Sequence, residues 1–118
     1  MDISEVSIGD WVLVNKKPVC VTLAILSVWN ADLIYPIPIT KELLEKNGFV
    51  EIELALGGGR KKKSIVREGI DVAIDFVFQE HWIIHVGELF HEAHMMIDYL
   101  HEFQHLLTLC KIDFEFNV

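Results

Sequence analysis

The sequence has little cysteine. Cys20 and Cys110 are the only two in 118 residues, and each lies inside an apolar stretch. Two cysteines exclude a scaffold held together by several disulfides, the usual solution for small secreted domains. We predict two buried, reduced thiols, as in a cytoplasmic protein, and a Cys20–Cys110 disulfide stays open as the alternative.

Long hydrophobic runs are also missing. The longest nearly apolar segment, residues 18–29, contains Thr22 and Ser27 and is too short to span a bilayer. Residues 1–5 are acidic and lack the basic flank and apolar stretch of a secretory signal. These absences predict a cytoplasmic protein with no membrane partner.

Basic residues are scarce: ten Lys and Arg stand against eighteen Asp and Glu, which gives a net charge of −8. An acidic surface repels phosphate, so nucleic acid is disfavoured as a partner. Four basic residues nevertheless follow the glycines at 57–59, namely Arg60, Lys61, Lys62 and Lys63. We interpret them as a solvated hairpin tip. The alternative is a mobile basic loop that contacts phosphate or an acidic protein surface.

Hydrophobic residues, by contrast, make up 52% of the chain, enough for a well-filled core in one domain spanning residues 1–118. Alternating apolar and polar residues predict strands at about 11–15, 18–29, 33–35, 50–56, 64–66, 70–78, 82–86 and 93–97. The predicted fold class is α+β, with a small antiparallel sheet that is partly barrel-like in its first third. Pro36 and Pro38 are expected to stop strand pairing, because neither has an N–H.

Two helices are predicted. Thr40 is a suitable N-cap for a short helix over 41–47, and Gly48 suits the left-handed residue that ends it, with Phe49 packing back on Leu44. A terminal amphipathic helix begins after Asp98 and runs to residue 110 or 111. Its apolar stripe consists of Tyr99, Leu100, Phe103, Leu106, Leu107 and Cys110. His101, His105 and Thr108 lie on the opposite face, which we expect to be solvated. Residues 113–118 are either a last strand or an ordered tail.

Several segments together resemble a known family. They are the turn at 8–10 (IGD), residues 35–40 (YPIPIT), residues 43–49 (LLEKNGF) and residues 99–106 (YLHEFQHL). They resemble a family of short proteins of uncharacterised activity from gut Bacteroides genomes and from their phages and mobile elements. The resemblance covers about half of the chain and implies a phage or mobile-element setting, without a mechanism. The family often has Asn at the position of His105, which argues against a metallopeptidase.

The terminal helix carries the H-E-x-x-H pattern, with His101, Glu102 and His105. Histidines four apart share one helix face and can bind one zinc ion, while the glutamate activates a bound water. A catalytic zinc needs a third protein ligand. Thr108 and Lys111 stand where a metzincin would have Gly and His, so the third ligand would come from upstream. The candidates are His94 with His91, if that stretch is helical, and also His81 and His85.

The pattern is short and arises readily by chance, so we interpret these histidines as ordinary helix residues. The serines have no activating context, Cys110 is expected to be a buried inert thiol, and Asp71 and Asp75 are expected to face solvent. Three tryptophans and seven phenylalanines favour an interaction surface. The predicted function is a non-enzymatic module that binds another protein. The alternative is a minimal zinc-dependent hydrolase with Glu102 as general base and His101, His105 and His94 as ligands.

Overall fold

A computed structural model describes residues 1–69, 72–77, 81–86 and 93–118, with side chains described in these ranges except at 54–56, 60–62, 75–77, 81, 83, 85–86 and 93–95. The elements are, in order, β1 (Trp11–Val14), β2 (Lys17–Cys20), α1 (Leu23–Ser27), β3 (Ile34–Pro36), α2 (Lys41–Lys46), β4 (Val50–Gly57), β5 (Arg60–Val66), β6 (Val72–Val77), β7 (His81–Val86), β8 (Ala93–Ile97) and α3 (Leu100–Leu109). The strands form two antiparallel sheets, which confirms the α+β fold class.

The amino-terminal sheet contains β1, β2 and β3 in the order β2-β1-β3. Asn15 and Lys16 join β1 to β2, and both have positive φ (49° and 66°), as a two-residue type I′ hairpin turn requires. The sheet is open, so the prediction of a barrel-like first third is wrong. The chain between β2 and β3 forms a helix, and it supplies no further strand that would close a barrel.

Prolines occupy both edges of this sheet. Pro18 of β2 pairs with Leu13 of β1, and Pro36 of β3 pairs with Val12 of β1. An edge strand tolerates proline when its missing N–H faces away from the neighbour. The prediction that Pro36 stops pairing is therefore wrong, whereas Pro38 forms an isolated bridge with Tyr99 beyond the end of β3.

Residues 23–27 were predicted as strand and instead form α1. Thr22 has extended backbone angles, and its hydroxyl accepts a hydrogen bond from the Ile25 N–H at 3.3 Å, which caps the helix. Strand pairing ends one residue earlier, where the Val21 N–H donates to the Asp10 carbonyl. Leucine and alanine favour a helix once the cap is present, and this local signal outweighs the apolar run.

The main sheet contains the remaining strands in the order β4-β5-β6-β7-β8. Gly57, Gly58 and Gly59 turn the chain from β4 into β5, and all three have positive φ, which glycine adopts without strain. The predicted strands at 50–56, 82–86 and 93–97 are confirmed, and 70–78 is confirmed where it is described, over Val72–Val77. The strand predicted at 64–66 begins earlier, at Arg60, so the four basic residues lie in β5, directly after the turn from β4. Their contact with phosphate or an acidic protein surface stays a prediction.

Helix α2 has the predicted ends. The Thr40 hydroxyl accepts from the Leu43 N–H at 3.1 Å, and Gly48 has a φ of 86°. The Phe49 N–H donates to the Leu44 carbonyl at 3.0 Å and the Gly48 N–H to the Glu45 carbonyl at 3.1 Å, the two bonds of a Schellman ending. Leu44 and Phe49 are both buried in the same core, in accordance with the prediction.

Apolar side chains form two separate cores. Among the described residues, the larger contains fifteen buried residues from α2 and the segments on either side of it, the main sheet, α3 and the carboxy-terminal tail, and the smaller contains Val12, Val21 and Ile34. Trp11 and Leu13 of β1 pack against the larger core, so they lie between the two. In the described parts of the chain, no helix has the length and hydrophobicity needed to cross a membrane.

Residues 113–118 form an ordered tail, one of the two predicted alternatives. Phe116 is buried, with its ring 5.2 Å from that of Phe103. The Asn47 side chain donates to the Asn117 carbonyl at 2.9 Å and accepts from the Asn117 N–H at 2.6 Å. A single side chain thus fixes the tail backbone in the way that a neighbouring strand would.

Candidate functional site

The three residues of the H-E-x-x-H pattern lie within the first six residues of α3. Tyr99 is the N-cap of α3, one residue later than the predicted Asp98, so Glu102 is the third residue of the helix. Glu102 Oε1 accepts hydrogen bonds from the Tyr99 N–H at 3.1 Å and the Asp98 N–H at 3.3 Å. The candidate general base therefore caps the helix by satisfying free backbone amides.

His105 is bound by an aspartate that sequence analysis did not single out as a site residue. Its Nε2 lies 2.5 Å from Asp10 Oδ2, and the same oxygen accepts the Ser7 N–H at 2.8 Å. The Asp10 side chain is only 6% exposed, against 38% for His105. Ninety-five residues separate Asp10 from His105, so no local sequence signal could have paired them.

His101 is buried, at 5% exposure, and the prediction that it faces solvent is wrong. Its ring stacks on Tyr99 at 6.1 Å and meets the His105 ring edge-on at 5.8 Å. Its Nδ1 is fully buried and has no hydrogen-bond partner among the described residues. Burial lowers the pKa of His101 below its ordinary value, against the smaller opposing effect of the Glu102 carboxylate. His101 is therefore held in its neutral form.

The reason for this burial is that α3 is covered on two sides. Its apolar stripe faces the larger core, as predicted, while its polar side meets the amino-terminal sheet at β1. Gln104 Oε1 accepts the Trp11 N–H at 2.9 Å, and Gln104 Nε2 donates to the Gly9 carbonyl at 3.0 Å. Asp10, His101, Gln104 and His105 together form what we call the α3 junction. These side chains fix the relative position of the amino-terminal sheet and α3.

The predicted zinc site can be followed only for the ligands whose side chains are described. Within the described residues, no three His, Cys, Asp or Glu side chains are placed to hold a metal ion. The third predicted ligand, His94, lies in β8 and pairs with His85 of β7. Its side chain is not among those that the structure describes, so its role as a ligand stays a prediction. His105 Nε2 is engaged by Asp10, and Glu102 by the backbone.

A cavity of about 400 Å³ opens beside the α3 junction. Its lining residues are Ser7, Ile8, Asp10, His105, Thr108 and Leu109. Asp10 and His105 provide polar side chains to the lining, whereas Ile8 and Leu109 are exposed apolar residues. We call this space the Asp10 cavity.

The remaining candidate residues mostly have structural roles. Trp82 is buried and donates to the Ile39 carbonyl at 3.0 Å, and Trp29 donates to the Met1 carbonyl at 3.0 Å, so neither forms an exposed aromatic patch.

Cys20 and Cys110 are both free and partly exposed, which corrects the prediction of buried thiols. Lys63, whose side chain is exposed, lies 3.8 Å from Glu51. Asp71 and the side chains of Asp75, Arg60, Lys61 and Lys62 lie outside the described residues.

Exposed apolar side chains are concentrated at the amino-terminal end. Six of the ten large apolar residues found exposed among the described side chains precede β4 and α2, namely Ile3, Ile8, Leu23, Val28, Leu33 and Tyr35. Leu23 and Val28 are the most exposed of these, at 72% and 75%, and stand at the two ends of α1. The surface around α1 is therefore apolar, and residues 18–31 include no charged residue.

Comparisons with known proteins do not add to this picture: no family model matches the chain, and no curated protein or solved structure matches it either. The resemblance to short proteins of Bacteroides and their phages thus stays a prediction.

Proposed function

We propose that this chain is a non-enzymatic protein-interaction module, in the phage or mobile-element setting that its resemblance suggests. The observation that carries the proposal is the uncharged, exposed apolar surface of α1. Soluble proteins expose single apolar side chains freely, but none of the five residues of α1 is fully buried, and the helix packs against the smaller core through the partly buried Leu26. A partner that covered Leu23 and Val28 would supply the missing burial.

The α1 surface also has the composition expected of an interface. Interface centres are depleted in charge, and the nearest charged residues in sequence are Lys17 and Asp32, beyond both ends of the segment 18–31. The predicted contribution of tryptophan is not supported, because Trp29 and Trp82 are engaged within the chain. The proposed interface is therefore aliphatic.

The zinc-dependent hydrolase is the weaker alternative, because its base and one of its ligands are engaged elsewhere. Glu102 would have to give up two backbone amides, and His105 would have to leave Asp10. Metal analysis of the purified protein, paired with His105→Asn, tests this alternative directly. Stoichiometric zinc that is lost in the variant would favour the hydrolase over the interaction module.

The interaction proposal is tested with the double variant Leu23→Glu/Val28→Lys, which removes the apolar surface without changing the net charge. Glutamate at the start and lysine at the end of α1 suit the helix dipole, so the fold should be retained. Affinity capture from the native host should recover a specific partner with the wild-type chain and lose it with the variant.

The matched control is Val50→Glu/Met96→Lys, which places the same two charges at exposed apolar positions of β4 and β8. This control should retain the partner. A partner retained equally by both double variants, or no specific partner at all, would contradict an interface on α1.

A further inference from the structure

The Asp10 cavity is lined by a largely buried carboxylate that uses one of its two oxygens for its contacts within the chain. Both contacts of Asp10 involve Oδ2, which receives the Ser7 N–H and lies against His105 Nε2. No described donor bonds to its Oδ1, which is not among the described side-chain atoms that are buried without a partner and therefore stays accessible from the cavity. A charged donor in the cavity can form a charge-assisted hydrogen bond with this oxygen. The cavity therefore favours an occupant that supplies N–H or O–H groups.

The other polar groups of the cavity point to the same kind of occupant. The Ser7 N–H is already donated to Asp10, and the Thr108 hydroxyl donates its proton to the Gln104 carbonyl at 3.0 Å. Thr108 Oγ1 consequently offers only lone pairs to a ligand. A lining that accepts hydrogen bonds selects a ligand with several donors.

The walls and the charge define the rest of the ligand. Ile8 and Leu109 are 63% and 77% exposed and lie beside the acidic part of the lining, while no lysine or arginine with a described side chain lines the cavity. The Glu102 and Glu5 carboxylates lie close enough to His101, whose ring meets the His105 ring edge-on, to oppose the lowering of its pKa by burial. A cationic head on an apolar stem satisfies all of these features, because the head donates to Asp10 and the stem packs on the aliphatic walls.

We propose that the Asp10 cavity binds an alkylguanidinium or alkylammonium group, as carried by an arginine side chain or a small amine. The site is distinct from the apolar surface of α1 and does not depend on it.

The probe is N-acetyl-arginine amide, added to the full chain and followed by the amide NMR shifts of Ser7, Ile8, Thr108 and Leu109. The neutral isostere N-acetyl-citrulline amide is the ligand control and should bind at least about tenfold more weakly, because it lacks the charge. Agmatine, a small amine with the same guanidinium group, is the second probe. Tighter binding of N-acetyl-arginine amide than of agmatine would assign the site to a protein side chain. Equal binding of the two would assign it to free amines.

Asp10→Asn should weaken binding of the arginine probe by about tenfold or more. Glu45→Gln makes the same change of net charge at an exposed position of α2 and should leave binding unchanged. If Asp10→Asn does not fold, Thr108→Arg replaces it, since residue 108 is exposed and the new side chain would occupy the cavity itself. The proposal is overturned if the arginine probe shifts none of the four amides. It is equally overturned if citrulline binds as well as arginine, or if the cavity variant that folds binds like the wild type.

Discussion

The amino-terminal sheet and the main sheet are both antiparallel, yet they bury very different amounts of apolar surface. Among the described residues, three form the buried core of the amino-terminal sheet, while six large apolar residues of that region stay exposed. Fifteen described residues form the buried core of the unit built from the main sheet, α2 and α3. A three-stranded sheet with so small a core is marginal by itself, so the packing of Trp11 and Leu13 on the larger core and the α3 junction must both contribute to its stability.

The contrast has a functional side. Stability requires a region to bury its apolar residues, whereas binding requires some of them to stay accessible. The main unit resembles a scaffold by this criterion, and the amino-terminal sheet with α1 has the exposed surface. The following predictions test the contrast, from the largest expected effect to the smallest.

Truncation of the two cores should have unequal effects. Phe103 is fully buried and its ring lies 6.1 Å from Phe49, so Phe103→Ala should lower the free energy of unfolding by about 3–5 kcal/mol. Val12→Ala removes less apolar volume from the smaller core and should cost about 2 kcal/mol. Urea denaturation followed by far-ultraviolet circular dichroism measures both. Equal losses would show that the two cores contribute alike.

Weakening the α3 junction should loosen the amino-terminal sheet selectively. Gln104→Ala removes the bonds to the Trp11 N–H and the Gly9 carbonyl and should cost about 1–3 kcal/mol. Hydrogen exchange should accelerate in β1, β2 and β3 while β6 and β7 keep their protection. Thr108→Ala, at an exposed position one turn further along, is the control. Uniform acceleration in both sheets would contradict a separate role for the junction.

Acidification should destabilise the protein through His101. Burial lowers its pKa in the folded state below the unfolded value of 6.5, so the unfolded chain binds the proton more readily. The stability contributed by neutral His101 is complete above that value and is lost as the pH falls through the lower, folded pKa. Denaturation midpoints at about pH 8 and about pH 5 should therefore differ less in His101→Gln than in the wild type. An unchanged difference would show that other groups cause the acid sensitivity.

The double variant Leu23→Glu/Val28→Lys should have the smallest effect on stability, within about 0.5 kcal/mol, because both side chains are largely exposed. Thermal denaturation measures this directly. A loss of several kcal/mol would mean that α1 stabilises the amino-terminal sheet, and its apolar surface would then need no partner to explain it.

Sequence analysis succeeded where the determining residues are close together in the chain. Thr40 and Gly48 stand at the two ends of α2 and fix it by local hydrogen bonds, and the alternating residues of β4 and β6 identify their strands. It failed at α1, where an apolar run suits a buried strand or a short helix equally well. The hydroxyl of Thr22 was the available signal, and it was outweighed by hydrophobicity.

The candidate site was predictable only in part, because its groups come from distant parts of the chain. The helical position of His101, Glu102 and His105 followed from periodicity, but that projection assumes one buried face. Helix α3 is covered on both sides, so His101 became buried against expectation. Asp10, which contacts His105, lies in a turn 95 positions earlier in the chain, and no periodic pattern predicts a contact over that distance.

The position of Glu102 in α3 bears on how a five-letter signature should be interpreted in other chains. A glutamate three residues into a helix faces amides that have no acceptor of their own, and capping them is its ordinary task. Further along a helix those amides are already bonded to preceding carbonyls, and the same carboxylate is released for chemistry. Counting from the first helical residue thus helps to separate signatures that start a helix from those that activate water.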